Sequence, residues 1–262
     1  MKKDGFLFRI LTAFSAVILL AAGLCGCSKE APEEKNTGDA QNGEPTPYTE
    51  LTFENDAQKI KYDYESYNNY LREDGVTLWP VEVPEENPFQ YITAKEAVEI
   101  AESGTGIIFF GAGWCRTCRM VVTLLTETVN AQTYDNEYAK TIYYLDTDVI
   151  GEDDPDYAQL QETVLIPLSE YLSAHDEYYT NVTGTESLME RYVDMEDPGD
   201  IAKYKFLVAF YNDGVLLGAN VGTTSHYVDA DTPPADADYE EFTEMFWSVA
   251  KRLGEPNCEH GC

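Results

Sequence analysis

The chain has 262 residues, with 17 basic against 48 acidic side chains and a formal net charge of −31. Such a charge argues against a nucleic-acid binder, which needs Lys and Arg to displace phosphate counterions, and against flat adsorption on anionic lipid. Apolar residues at 44% and aromatics at 13% supply a packed core, for one domain with extensions or two small ones.

Lys2, Lys3 and Arg9 precede an apolar run from Ile10 to Leu24, the charged and apolar regions of a secretory signal. A run of about 15 residues is short for a membrane-spanning helix, which needs roughly 20. It ends in Leu24-Cys25-Gly26-Cys27, which resembles a bacterial lipobox with an aliphatic residue at −3, a small one at −1 and Cys27 as the lipidated cysteine. Cys25 fits less well, because it would place Leu24 at −1. An ordinary signal peptide and a retained anchor are the alternatives. On the lipobox reading, residues 1–26 are a signal peptide. The mature protein begins at lipidated Cys27, anchored to the cell membrane on its extracytoplasmic face. Cleavage would remove three basic residues and one acidic, taking the charge to −33, so the acidity belongs to the mature chain. Residues 27–47, rich in Glu, Asn, Gly and Pro, read as a flexible acidic tether.

Residues 48–87 gain aromatics but show no clear period, and read as an N-terminal extension of short strands or turns packed on the main domain. Phe89 to Ile92 is a short strand. Thr93-Ala94-Lys95-Glu96 is a capping box that opens a helix to about Ser103. Ile107 to Phe110 is an apolar run of strand length, as expected of a central strand buried on both faces. Gly111-Ala112-Gly113-Trp114-Cys115-Arg116-Thr117-Cys118-Arg119 follows, then a helix to about Ala131 and a strand from Thr141 to Leu145. Helical patterns occupy about 156–175, interrupted at Pro167, and 185–195. Two strands, Phe206 to Tyr211 and Val215 to Val221, flank Asn212-Asp213-Gly214 as a β-hairpin. A last amphipathic helix runs from Asp238 to about Leu253, with Asp238 and Glu241 as a box-like start. The tail 254–262 carries Cys258 and Cys262.

The six cysteines fall in three close pairs, and the middle pair carries the chemistry. A cysteine at a helix N-terminus meets unsatisfied N–H groups and the positive end of the helix dipole, which favour thiolate. Two intervening residues bring the second sulfur back to the same helix end, within disulfide reach. Strand, Trp114-Cys115-Arg116-Thr117-Cys118 and helix together resemble the thioredoxin superfamily over residues 88–253, and are also similar to bacteriocin transport accessory proteins. The resemblance implies an α/β thioredoxin-like fold: a central mixed sheet flanked by helices, with a helical insertion at about 151–200 before the C-terminal hairpin. It implies a thiol–disulfide oxidoreductase in which Cys115 attacks and Cys118 resolves. Trp114, Arg116 and Thr117 flank the site, and the Arg116 charge should favour the Cys115 thiolate. No metal or cofactor is expected. The partners expected are a protein or peptide disulfide substrate, a redox partner protein and the membrane through the lipid anchor, with no nucleic acid. A half zinc site at Cys115 and Cys118 and an inert structural disulfide are the competing readings.

Two positions depart from the family. Phe109 stands where thioredoxins carry a buried Asp, and Phe206 where they carry a cis-Pro facing the disulfide. Both favour an alternative, a non-catalytic thioredoxin-fold accessory or binding module for export or assembly of secreted peptides or proteins. Cys258 and Cys262 are read as a possible second disulfide, with a redox relay or weak metal binding through His260 as alternatives. His175 and His226 read as surface or capping residues. Asp146, Asp148, Glu152, Asp153, Asp154 and Asp156 read as a solvated acidic loop.

Overall fold

The computed structural model describes residues 44–131, 133–175, 197–220, 224 and 232–256. The signal region, Cys27, the pattern at 185–195, His226 and the Cys258/Cys262 tail lie outside the described residues.

Five strands form one mixed sheet in the order β1-β3-β2-β4-β5. They are β1 (Phe89–Tyr91), β2 (Gly106–Gly111), β3 (Ile142–Asp146), β4 (Val208–Asn212) and β5 (Val215–Asn220). β3 runs parallel to both β1 and β2, and β4 is antiparallel to β2 and β5. Every residue of β2 is buried, as its unbroken apolar run predicts for a strand covered on both faces. Asp213 and Gly214 turn the β4–β5 hairpin with φ of 48° and 75°. Two successive positive φ values match a type I′ turn, whose twist suits the paired strands.

Helices flank this sheet. α1 (Asp56–Glu65) contacts β1. α2 (Ala94–Ser103) starts at the capping box expected of it, with Glu96 N–H donating to Thr93 Oγ1 at 3.2 Å and Thr93 N–H to Glu96 Oε2 at 2.8 Å. α3 (Arg116–Asn130) joins β2 to β3. Between β3 and β4 lie α4 (Tyr157–Leu160), a π-helical segment (Gln161–Leu165) and α5 (Ile166–Ala174), the described part of the expected helical insertion. α6 (Asp236–Ala250) packs on α3, with Thr128 Oγ1 and Thr243 Oγ1 3.0 Å apart.

Three local expectations need correction. Residues 48–87 contain α1, capped by Asn55 Oδ1 accepting the Gln58 N–H, where only strands or turns were expected. Pro167 does not interrupt its helix: the wider π turn just before it accommodates a residue that cannot donate an i→i−4 bond. The last helix begins at Asp236, not Asp238. Asp238 is its third residue, and its Oδ2 reaches back to accept the Ala235 N–H at 2.8 Å.

Candidate active site

β2 ends at Gly111, and the chain turns through Ala112, Gly113 and Trp114 into α3. Cys115 is the N-cap. Its Sγ accepts the Cys118 N–H at 3.2 Å, satisfying one of the donors a helix start leaves open. Cys115 and Cys118 form a disulfide with Cα atoms 5.1 Å apart. Cys118 is fully buried and Cys115 is 8% exposed, so Cys115 is the more accessible residue of the pair. Arg116 and Thr117 are half-buried in the first turn of α3.

Trp114 gathers three separate parts of the chain. Its Nε1–H donates to Asp148, in the loop after β3. Lys205 Nζ lies 5.0 Å from its ring centroid and 3.3 Å from Asp148 Oδ1. The Arg72 guanidinium, from the N-terminal extension, lies 5.8 Å from the same ring. Phe206, beside Lys205, donates its N–H to Phe110 O at 2.8 Å and has φ of 66°. A bulky residue in the left-handed region is strained, and such strain tends to persist where surrounding structure imposes it.

Arg119, one turn into α3, is fully buried. Its guanidinium donates to the carbonyls of Tyr64 at 2.6 Å, Gly113 at 3.1 Å and Trp79 at 2.9 Å, and to Asn68 Oδ1. Burial pulls its pKa down to about 10, so it stays charged at neutral pH. One side chain thus fastens the extension to the loop that precedes the cysteines.

Phe109 packs among aromatics, with ring centroids 6.2 Å from Phe89 and 5.6 Å from Tyr144. A buried carboxyl comes from α1 instead. Asp63 is 7% exposed, and its Oδ2 accepts from the hydroxyls of Tyr91 and Tyr144, each at 3.2 Å. It lies against Gly113, where an added Cβ would come within 2.6 Å of Asp63 Oδ1 and closer still to its carbonyl oxygen. Burial first, and then the charge of Asp146, push its pKa up to about 8, although both tyrosine bonds favour the ionised form. Asp146 is also buried, at 5% exposure, and burial raises its pKa too. The expected acidic loop therefore divides. Asp146 belongs to the interior and Asp148 to the Trp114 contact, while Glu152 and Asp153 are exposed.

No protein-family model, curated protein or solved structure matches this chain.

The five residues Trp114 to Cys118 lie at the turn into α3. Asp63, Asp146, Asp148 and Lys205 were not among the expected site residues. The only local signal for Asp63 is its place between Tyr62 and Tyr64, a carboxylate in a stretch otherwise apolar enough to be buried. His175 caps α5 as read, with Nδ1 2.7 Å from Tyr171 O and its ring stacked on that tyrosine.

Proposed function

We propose that the protein is a thiol–disulfide oxidoreductase of thioredoxin-like fold, tethered outside the cytoplasmic membrane through Cys27. The observation that carries this reading is the Cys115–Cys118 disulfide at the N-terminus of α3, directly after the central strand. The strand order and the helices on the sheet accord with it. In the reduced state the Cys115 thiolate attacks one sulfur of a substrate disulfide. That S–S bond breaks, and the departing sulfur leaves as a thiolate and takes a proton. Cys118 then attacks Cys115 Sγ, which re-forms the internal disulfide and releases the second substrate thiol. The substrate gains two electrons and the cysteine pair loses them. A dithiol partner protein restores the reduced pair, and with an oxidising partner the sequence runs backwards.

Asp63 serves this chemistry as a proton reservoir behind the loop, in place of the strand carboxylate that Phe109 replaces. A carboxyl with a pKa near 8 can both hold and release a proton at neutral pH. The test is the reduction potential of the cysteine pair and turnover of a disulfide substrate, for wild type and Cys115→Ser. A potential above roughly −300 mV, with turnover lost in the variant, supports the reading. A pair more reducing than that, with no Cys115-dependent turnover, refutes it.

The strained Phe206 favours a second reading, a binding module for export or assembly. On that reading a secreted peptide binds equally well to wild type and to Cys115→Ser.

A further inference from the structure

A cavity of about 230 Å³ opens beside the cysteines, walled by Tyr48, Tyr67 and Trp114 and floored by Asp63, Asp146 and Asp148. Its size falls below the roughly 300–1,000 Å³ usual for small-molecule pockets, so it suits one side chain better than a whole metabolite. We infer that this cavity is a subsite for a basic side chain, lysine or arginine, of the peptide whose disulfide meets Cys115. The inference rests on the oxidoreductase reading and names its substrate class.

Three observations carry it. First, the floor carries two buried carboxyl groups, Asp63 and Asp146. Among the described residues neither Asp63 nor Asp146 has an ion pair, and no hydrogen bond reaches Asp63 Oδ1, although this side chain is more than nine-tenths buried. The third floor carboxylate, Asp148, is paired with Lys205. Second, the walls already hold ammonium groups. Lys205 lies over Trp114 and against Asp148, while Lys59 Nζ lies 3.6 Å from the Tyr91 ring centroid and 4.6 Å from that of Tyr48. Aromatic faces beside carboxylates are the surroundings that ammonium and guanidinium prefer. A metal ion fits less well, because no group of three or more His, Cys, Asp or Glu among the described residues is arranged to hold one. Third, Trp114 is both a wall of the cavity and the residue before Cys115, so a side chain seated here belongs to a chain crossing the reactive sulfur. The net charge of −31 draws cationic partners toward the whole surface.

Burial and the Asp146 charge push the Asp63 pKa up to about 8, burial raises that of Asp146 too, and an entering cation favours the ionised form of both. Binding should therefore release protons, which an empty or purely structural cavity would not do.

The experiment uses the full chain in detergent and two disulfide peptides that differ only in lysine against glutamine beside the cysteine. Wild type should turn over the lysine peptide with a kcat/KM about tenfold higher, and the ratio should fall toward one in Asp146→Asn and in Tyr67→Ala. Circular dichroism confirms that each variant is folded, and the two variants alter different walls. A second arm reads binding without redox chemistry. Cysteine-free lysine and glutamine peptides are titrated calorimetrically in buffers of different ionisation enthalpy, with preferential lysine binding and proton release expected. Equal turnover of the two disulfide peptides, or a preference unchanged in both variants, overturns the subsite and leaves the oxidoreductase reading standing. If wild type turns over neither peptide, the oxidoreductase reading falls and the calorimetry decides the cavity: lysine binding with proton release upholds a cation site, and indifference overturns it. Displacement of the lysine peptide by millimolar calcium without competition from n-pentylamine overturns it in favour of a metal ion.

Discussion

Replacing Asp63 by Asn should stabilise the protein and impair it at the same time. The carboxyl titrates near 8 in the folded chain and near 3.9 in an unfolded one. Below pH 4 both states hold the proton and Asp63 contributes no difference. As pH rises through the interval to 8 the unfolded chain gives up its proton while the folded chain keeps it, so stability falls. At pH 7 that interval spans about three units, and at about 1.4 kcal/mol per unit the native state is disfavoured by roughly 4 kcal/mol. Asparagine is nearly isosteric, does not titrate, and can still accept from the Tyr91 and Tyr144 hydroxyls. Urea denaturation should therefore show Asp63→Asn about 4 kcal/mol more stable at pH 7 and within ~1 kcal/mol of wild type at pH 3.5. In a chain of this size such a gain raises Tm by roughly 8–16 °C. Disulfide turnover at pH 7 should fall by about a hundredfold, the low end of what removal of a proton-transfer group costs. A variant whose stability relative to wild type is the same at pH 3.5 and pH 7 would refute the buried-carboxyl account. A variant with full turnover would refute the proton-reservoir role alone.

Arg119→Met should cost about 3–5 kcal/mol in urea denaturation, because the carbonyls of Tyr64, Gly113 and Trp79 lose their donor in a dry interior; a loss under ~1 kcal/mol would mean that water or another donor serves them. Phe206→Pro, the change that would copy the family pattern, should destabilise by about 3–5 kcal/mol: it removes a buried aromatic and the N–H bound to Phe110 O, and proline cannot adopt φ of 66°. Equilibrium denaturation checks it, and a gain in stability would show that the left-handed backbone is not imposed by its surroundings. Tyr144→Phe removes a bond that favours ionised Asp63, so the Asp63 pKa should rise above 8, visible as an upward shift of the carboxyl signal in an NMR pH titration. Cys118→Ser should trap substrate on Cys115 as a mixed disulfide, read as an added mass by mass spectrometry.

The parts of the site that lie close in sequence were legible, and the parts that lie far apart were not. The run Ile107 to Phe110, the Thr93 capping box and the Asp213-Gly214 turn each carry their cause within a few residues. α1 does not. Lys59-Ile60-Lys61-Tyr62-Asp63-Tyr64 alternates polar and apolar residues as a strand does, yet Ile60 and Tyr64 are four apart and share the buried face of a helix. Asn55 at its cap and the core beneath it decide in favour of the helix. The Pro167 error has a related origin: a proline forbids one hydrogen bond, and a π turn ahead of it accommodates the loss.

The same distance in sequence hid the site's charges, and their separation is what lets the Asp63 pKa stay raised. Arg119 and Asp63 are both buried and the charge of Asp63 acts on Arg119, but among the described residues they make no ion pair. Arg119 spends its donors on carbonyls, and Asp63 takes hydroxyls. A guanidinium bonded directly to Asp63 would pull that carboxyl below the ordinary carboxylate range and leave it permanently ionised at neutral pH. Tyrosine hydroxyls hold it in place with far less effect on its charge. The carbonyls of Tyr64 and Gly113 draw Arg119 to the backbone on either side of Asp63, which fixes the carboxyl against the loop without neutralising it. The clamp and the carboxyl thus depend on each other: α1 must be fastened for Asp63 to stay buried, and Asp63 must be free of a cation partner, as it is in the free protein, for its pKa to stay raised.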